Sequence, residues 1–326
     1  MKAKQRTLAV LAALLAVLGL ALWALNRLTA AEEAASSAAA EGTIPLSAFS
    51  ASDLSSITYT YNGQIITLNY ADGSWTLADD PDYHLDESAC NTMVTALSAL
   101  NAKRLITAQA GEDYGLADPQ LTVTVTAAGQ TTTLTFGSSN AVTGDQYVQR
   151  EGDDALYTVD ANRSTCFAYD KAGLFGSFSP AGFTTSEAQQ VAYTLASGEN
   201  VSLTAGSEPA EGADEADSSD CETVWRFTGD AGTAVDQDKV QSMLSALSSY
   251  VSGQITPADG ADPAACGFDT PLATVQVTTA SGTRTLTYAS GVDGYCLMVD
   301  GDDSIYTVDL SIVQAALLTA ADLKTE

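Results

Sequence analysis

The sequence predicts an α+β fold: a mainly antiparallel β-sheet module with one long amphipathic helix, duplicated in tandem, after a single N-terminal transmembrane helix. Three observations carry this. A block at 112–160, a Gly/Pro turn followed by four short alternating strands, returns at 264–309. A helical stripe of apolar residues before the block returns at an offset of 150. An uncharged run of eighteen residues, 8–25, follows a basic N-terminus.

That run opens the chain. Lys2, Lys4 and Arg6 precede it and Arg27 closes it, with Trp23 near its outer end. As a helix it would span roughly 27 Å, close to the hydrocarbon core of a bilayer. The leading positive charges place the N-terminus in the cytoplasm and everything after Arg27 outside. A cleaved signal peptide is the competing expectation, with Thr29, Ala30 and Ala31 as its exit. The run exceeds the usual signal core, which favours a retained anchor over residues 1–28. Residues 29–46, rich in Ala, Ser and Glu, read as a tether.

The first module is expected over 47–176. Residues 57–61 and 64–68 alternate around Asn62-Gly63, the two-residue signal of a hairpin. Asp72-Gly73 then turns into a strand containing Trp75. There the period changes: Asp86 can cap a helix that places Cys90, Met93, Val94, Leu97 and Leu100 on one face. A short strand at 103–106 leads to the four-strand block, and Asp160 stands where a helix through Phe167 and Leu174 would start.

After a linker at 177–184, the second module over 185–322 repeats the order. Trp225 answers Trp75, Asp236 answers Asp86, and Val240, Met243, Leu244, Leu247 and Tyr250 repeat the stripe. Gly115 and Gly267 are 152 apart, Tyr147 and Tyr295 148, and Tyr157 and Tyr306 149. Landmarks that drift so little indicate duplication. Residues 208–222 have no counterpart and read as an acidic loop insertion.

Composition bounds the partners. The chain carries 13 basic against 41 acidic residues, a net charge of −28. Such a surface repels phosphate backbones, which argues against nucleic-acid binding.

The Trp75 strand, Pro81-Asp82-Tyr83, the amphipathic helix and Tyr114-Gly115-Leu116 with Pro119 resemble the bacterial family known as domain of unknown function 4340. The similarity runs over most of residues 50–310. In the second copy Tyr114 and Leu116 become Cys266 and Phe268, so the turn is kept rather than the side chains. The resemblance implies a membrane-anchored extracytoplasmic protein, associated in some members with ABC-type transport systems. It implies no chemistry.

The residues themselves offer little chemistry either. His84 is the single histidine, and no Gly-x-Ser-x-Gly elbow accompanies it, so a structural role outweighs a catalytic one. Cys90, Cys166, Cys221, Cys266 and Cys296 show no C-x-x-C spacing and do not recur between modules, which excludes zinc and thioredoxin-like sites. Cys90 and Cys296 fall on apolar patterns and are expected in the core. Gly152-Asp153-Asp154 and Gly301-Asp302-Asp303 sit at equivalent turns, where hairpin chemistry outweighs calcium binding. Trp75, Trp225, Tyr147 and Tyr295 suit core packing better than sugar stacking. No catalytic, metal or cofactor-binding residue is therefore expected, and no cofactor.

Two functional classes stand. One is a membrane-tethered, non-enzymatic interaction or scaffold protein, accessory to an ABC-type transporter or envelope complex. The other is an envelope hydrolase or ligand-binding protein with a site between the modules, recognisable by convergent polar groups in a cleft. The first is the expected function, with the membrane and a protein as its partners.

Overall fold

A computed structural model describes residues 44–209, 221–230, 232–292 and 294–325. The apolar run at 8–25, most of the tether and the centre of the acidic insertion lie outside the described residues. Among the described residues no helix is long and apolar enough to cross a membrane.

In chain order the first copy comprises β1 (Ile44–Ala48), β2 (Leu54–Tyr61), β3 (Gln64–Ala71), β4 (Ser74–Leu77), α1 (Glu87–Leu97), β5 (Ala99–Ala102), β6 (Arg104–Ile106), β7 (Leu121–Ala127), β8 (Gln130–Ser139), β9 (Gln146–Arg150), β10 (Leu156–Val159) and the single helical turn α2 (Asn162–Thr165). The second comprises β11 (Gln190–Leu195), β12 (Asn200–Pro209), β13 (Cys221–Phe227), α3 (Gln237–Leu247), β14 (Gly253–Ile255), β15 (Ala273–Thr279), β16 (Gly282–Ser290), β17 (Tyr295–Val299), β18 (Ile305–Val308) and α4 (Leu310–Ala316).

The duplication is plain in the topology. One eight-stranded sheet runs β4-β3-β2-β7-β8-β9-β10-β6, and the other runs β13-β12-β11-β15-β16-β17-β18-β14. Strand for strand the order is the same, with β14 in the place of β6. All seven pairings of the second sheet are antiparallel. The first copy adds a ribbon of β1 with β5.

Local chemistry explains the hairpins. Asn62 and Gly63 both take positive φ, 50° and 77°, the primed-turn geometry that matches the twist of the flanking strands. In β7 every second residue is buried, from Leu121 through Ala127, and β15 repeats this from Ala273 through Thr279. Threonines occupy the alternate positions, apart from Gln276, and meet across strands, as in Thr124–Thr133 at 3.2 Å and Thr278–Thr283 at 3.0 Å. Each sheet therefore has an apolar face for the core and a hydroxyl-rich outer face.

The helices are shorter than the sequence suggests. Cys90, Met93, Val94, Ala96 and Leu97 are the buried residues of α1, and Val240, Met243, Leu244, Ala246 and Leu247 those of α3. The five positions match one for one at the offset of 150. Yet each helix has only 11 residues, so the long helix is corrected to three turns. Leu100 belongs to β5, because pairing with β1 takes its backbone, and Tyr250 lies past the end of α3 at 67 % exposure. The helix expected from Asp160 through Leu174 reduces to α2 and an isolated 3-10 turn, Ala172–Leu174. Asp236 caps α3 as expected, its carboxylate accepting from the Lys239 N–H.

The chain divides into two compact units, one of residues up to Trp75 with Glu87–Asp170, the other of Thr76–Asp86 with Lys171–Glu326. The strap 76–86, which the first copy's sequence supplies, thus packs within the second unit.

Each unit ties its last helical segment down with one buried phenol. Tyr59 donates to the carbonyl of Tyr169 at 2.9 Å, and Tyr193 donates to that of Leu318 at 2.5 Å. Burial raises both phenol pKa values, so both stay neutral donors. Tyr193→Phe is expected to lower stability by about 1 kcal/mol, the net worth of one such bond. Urea unfolding checks this, and an unchanged midpoint would show that water replaces the phenol at no cost.

Candidate functional site

The strap is where sequence and structure meet. Its backbone pairs with 174–176: the Asp86 N–H donates to Leu174 O and the Gly176 N–H to His84 O, both at 2.8 Å. The His84 N–H donates to Oε1 of Gln254 at 2.8 Å. The same Gln254 amide donates to Asp82 O and to Ser304 Oγ, each at 3.0 Å. One glutamine of β14 therefore fixes the strap on both sides of Tyr83.

So held, the His84 ring stacks on Phe178 with centroids 3.9 Å apart, and Phe178 meets Tyr306 edge-on at 5.6 Å. These rings line a cleft of about 510 Å³ in the second unit. The turn Asp300–Asp303, Arg284 and Asp82 also line it. The structure thus brings together two features singled out separately in the sequence, His84 and the acidic turn Gly301-Asp302-Asp303. Gly152-Asp153-Asp154 belongs to the first unit.

The carboxylates of both turns have local duties. Asp153 accepts from the Tyr157 hydroxyl at 2.7 Å and from the Ala155 N–H at 3.0 Å. Asp302 accepts from the Tyr306 hydroxyl and from the Ser304 N–H at 2.8 Å. The Tyr157 hydroxyl, then the Ala155 N–H, hold the Asp153 carboxyl below the usual range. The Gly-Asp-Asp sequence is a tight turn whose first Asp tethers the following tyrosine. Asp300 accepts from the Thr285 N–H at 2.9 Å. In the cleft the hydroxyl of Ser304, a residue 3 % exposed, accepts from Gln254.

A second cluster, not legible in the sequence, anchors the strap's other end. Asp80, 2 % exposed, accepts from Lys171 Nζ at 2.7 Å and from the Thr256 hydroxyl at 2.6 Å. Lys171 also bonds Asp259, and its ammonium lies 4.7 Å from the centre of the Tyr83 ring. Burial pulls the Lys171 pKa down, but the bonds to Asp259 and Asp80 outweigh it and the net shift is upward. The one sequence signal is Thr256-Pro257-Ala258-Asp259, a capping box that closes on itself.

The other candidates fall into the core. Trp75 and Trp225 are 6 % and 5 % exposed, and Cys90 and Cys296 are buried. Tyr147 is half-buried, its ring edge-on to Tyr114 at 4.9 Å. No disulfide joins the five cysteines. Burial pushes the Cys166 thiol up to about 11, which leaves it a poor nucleophile.

No curated protein and no solved structure matches the chain significantly. A family model does match, twice, over residues 75–222 and 225–326, and each match opens on the tryptophan of the strand before the long-stripe helix. With most of its length covered by two copies, the chain belongs to the family described as Domain of unknown function (DUF4340).

Proposed function

We propose that this protein is a membrane-tethered extracytoplasmic scaffold, accessory to an ABC-type transporter or envelope complex, that performs no bond chemistry itself. One observation carries the reading: the polar side chains that recur in both units hold their own unit together. Asp153 and Asp302 tether the tyrosine four residues on. Tyr59 and Tyr193 tether the last helical segments. A duplicated machine for building sheets leaves its outer surface as the working part. The basic residues Lys2, Lys4 and Arg6 ahead of 8–25 support an outward-facing tether.

A second reading, a ligand-binding protein or hydrolase, is favoured by the cleft that gathers His84, Asp82 and Arg284. The test separates the two. Full chain tagged at its C-terminus and recovered from detergent-solubilised membranes is expected to bring down transporter subunits, equally well with His84→Ala. Protease added outside intact cells stripped of their wall should digest the units but not a cytoplasmic control. Recovery of no membrane subunit, together with a hydrolytic activity lost in His84→Ala, would sink the scaffold.

A further inference from the structure

We infer that the second unit carries a binding groove for a neutral saccharide, at the place where it departs from the plan it shares with the first. The groove, about 940 Å³, lies between β12, β13, the turn Thr185–Glu187 and the first turn of α3. Its volume falls in the range of small-molecule sites.

The first unit shows what has changed. There the ring of Tyr70 packs on Trp75 with centroids 4.9 Å apart, and Asn91 Oδ1 accepts from the Trp75 indole at 3.2 Å. In the second unit the residue paired with Trp225 across the strands is Ala205, which carries no ring. Gln241 stands at the offset of Asn91 and lines the groove. The hairpin is also extended: β12 and β13 have 10 and 7 residues where β3 and β4 have 8 and 4.

The lining selects the ligand. Asp238 is the only ionisable residue among the described ones on its wall, in a chain of net charge −28. The other polar side chains are hydroxyls and amides, Gln189, Gln190 and Gln241 among them, with Ala188, Ala205 and Trp225 as the apolar part of the wall. An anion would find no counter-charge there and a cation only the single carboxylate of Asp238, and an apolar ligand would strip water from the amides without replacing its hydrogen bonds. A hydroxyl-rich neutral ligand satisfies them. An extended peptide fits less well, because the outward edge of β13 is already taken. The Trp225 N–H donates to Gln237 Oε1 at 2.8 Å, and Gln237 Nε2 donates back to Trp225 O at 3.0 Å. That side-chain amide occupies the place of an added strand.

The inference does not depend on the scaffold reading, and its test is direct binding. Full chain in a detergent without a sugar headgroup is titrated calorimetrically with maltotriose, cellotriose and tri-N-acetylchitotriose. At least one is expected to bind. Ala205→Tyr, which restores the ring of the first unit, should weaken that binding at least tenfold, while Ala205→Ser changes it less than twofold. Gln241→Ala, on the exposed groove wall, should weaken it several-fold and guards against misfolding of the tyrosine variant. Binding by none of the three sugars would overturn the inference, as would binding unchanged in both Ala205→Tyr and Gln241→Ala. Capture of a neutral strand-forming peptide in their place would do the same.

Discussion

Gly267→Ala is expected to destabilise the second unit by about 2–5 kcal/mol, the sum of a left-handed backbone penalty and an overpacked contact. Gly267 has φ +85°, and a Cβ there would lie 2.4 Å from the carbonyl oxygen of Ser290 in β16. The oxygen is backbone and the Cβ is fixed rigidly to its Cα, so neither can swing away. Gly115 in the first unit is the same case, with φ +72° and a Cβ 2.6 Å from the Ser138 nitrogen. Gly301→Ala is the control, since at φ +80° its Cβ would meet nothing within 4 Å. It should show only the backbone penalty, about 1–2 kcal/mol. Equal losses in Gly267→Ala and Gly301→Ala, measured by urea unfolding, would remove the contact from the explanation. This accounts for the glycine standing in both copies while Tyr114 and Leu116 give way to Cys266 and Phe268.

Asp80→Ala should release the strap, at about 2–3 kcal/mol. Breaking a buried ion pair costs roughly 3–5 kcal/mol, but the Lys171 side chain is 28 % exposed and retains Asp259, which softens the loss. The local readout is amide exchange at His84, Asp86 and Gly176, whose N–H groups bond Gln254, Leu174 and His84. Faster exchange there, with the strands of β15 and β16 unaffected, is the expected pattern. Uniform protection in Asp80→Ala would show that the strap is held by its backbone pairing alone. The pH dependence follows from two shifts. The Lys171 pKa is raised above 10.5, so its contribution is complete below that value and lost as pH climbs through the folded-state value. Asp259 has a carboxyl pKa below the ordinary 3.8, despite burial acting the other way, because Lys171 and the Thr256 N–H bond its charged form. Its contribution is therefore present above 3.8 and lost as pH falls through the lower folded value. Strap protection should stay level between these limits and fall beyond each.

The sequence by itself determined the architecture. Alternation in 121–127 and 273–279 set which face of each sheet is buried, Asn62-Gly63 set a hairpin, and the matched stripes of α1 and α3 set the duplication. These signals are local or repeat at a fixed offset, so they survive in one dimension. Helix length did not, because the same apolar residue can serve a helix or a strand. Leu100 went to β5 once β1 offered its backbone a partner. Only the tertiary structure decided that the strap 76–86 packs in the second unit, where Asp80 meets Lys171 and Thr256. Those partners stand 91 and 176 residues from Asp80, and a single buried charge pair leaves no periodicity in the sequence. The same holds for His84 and the turn Asp300–Asp303, and for the groove that opens where Ala205 pairs with Trp225. Periodicity reports the faces a chain must bury; where distant segments place their few polar side chains is settled only when those faces close on one another.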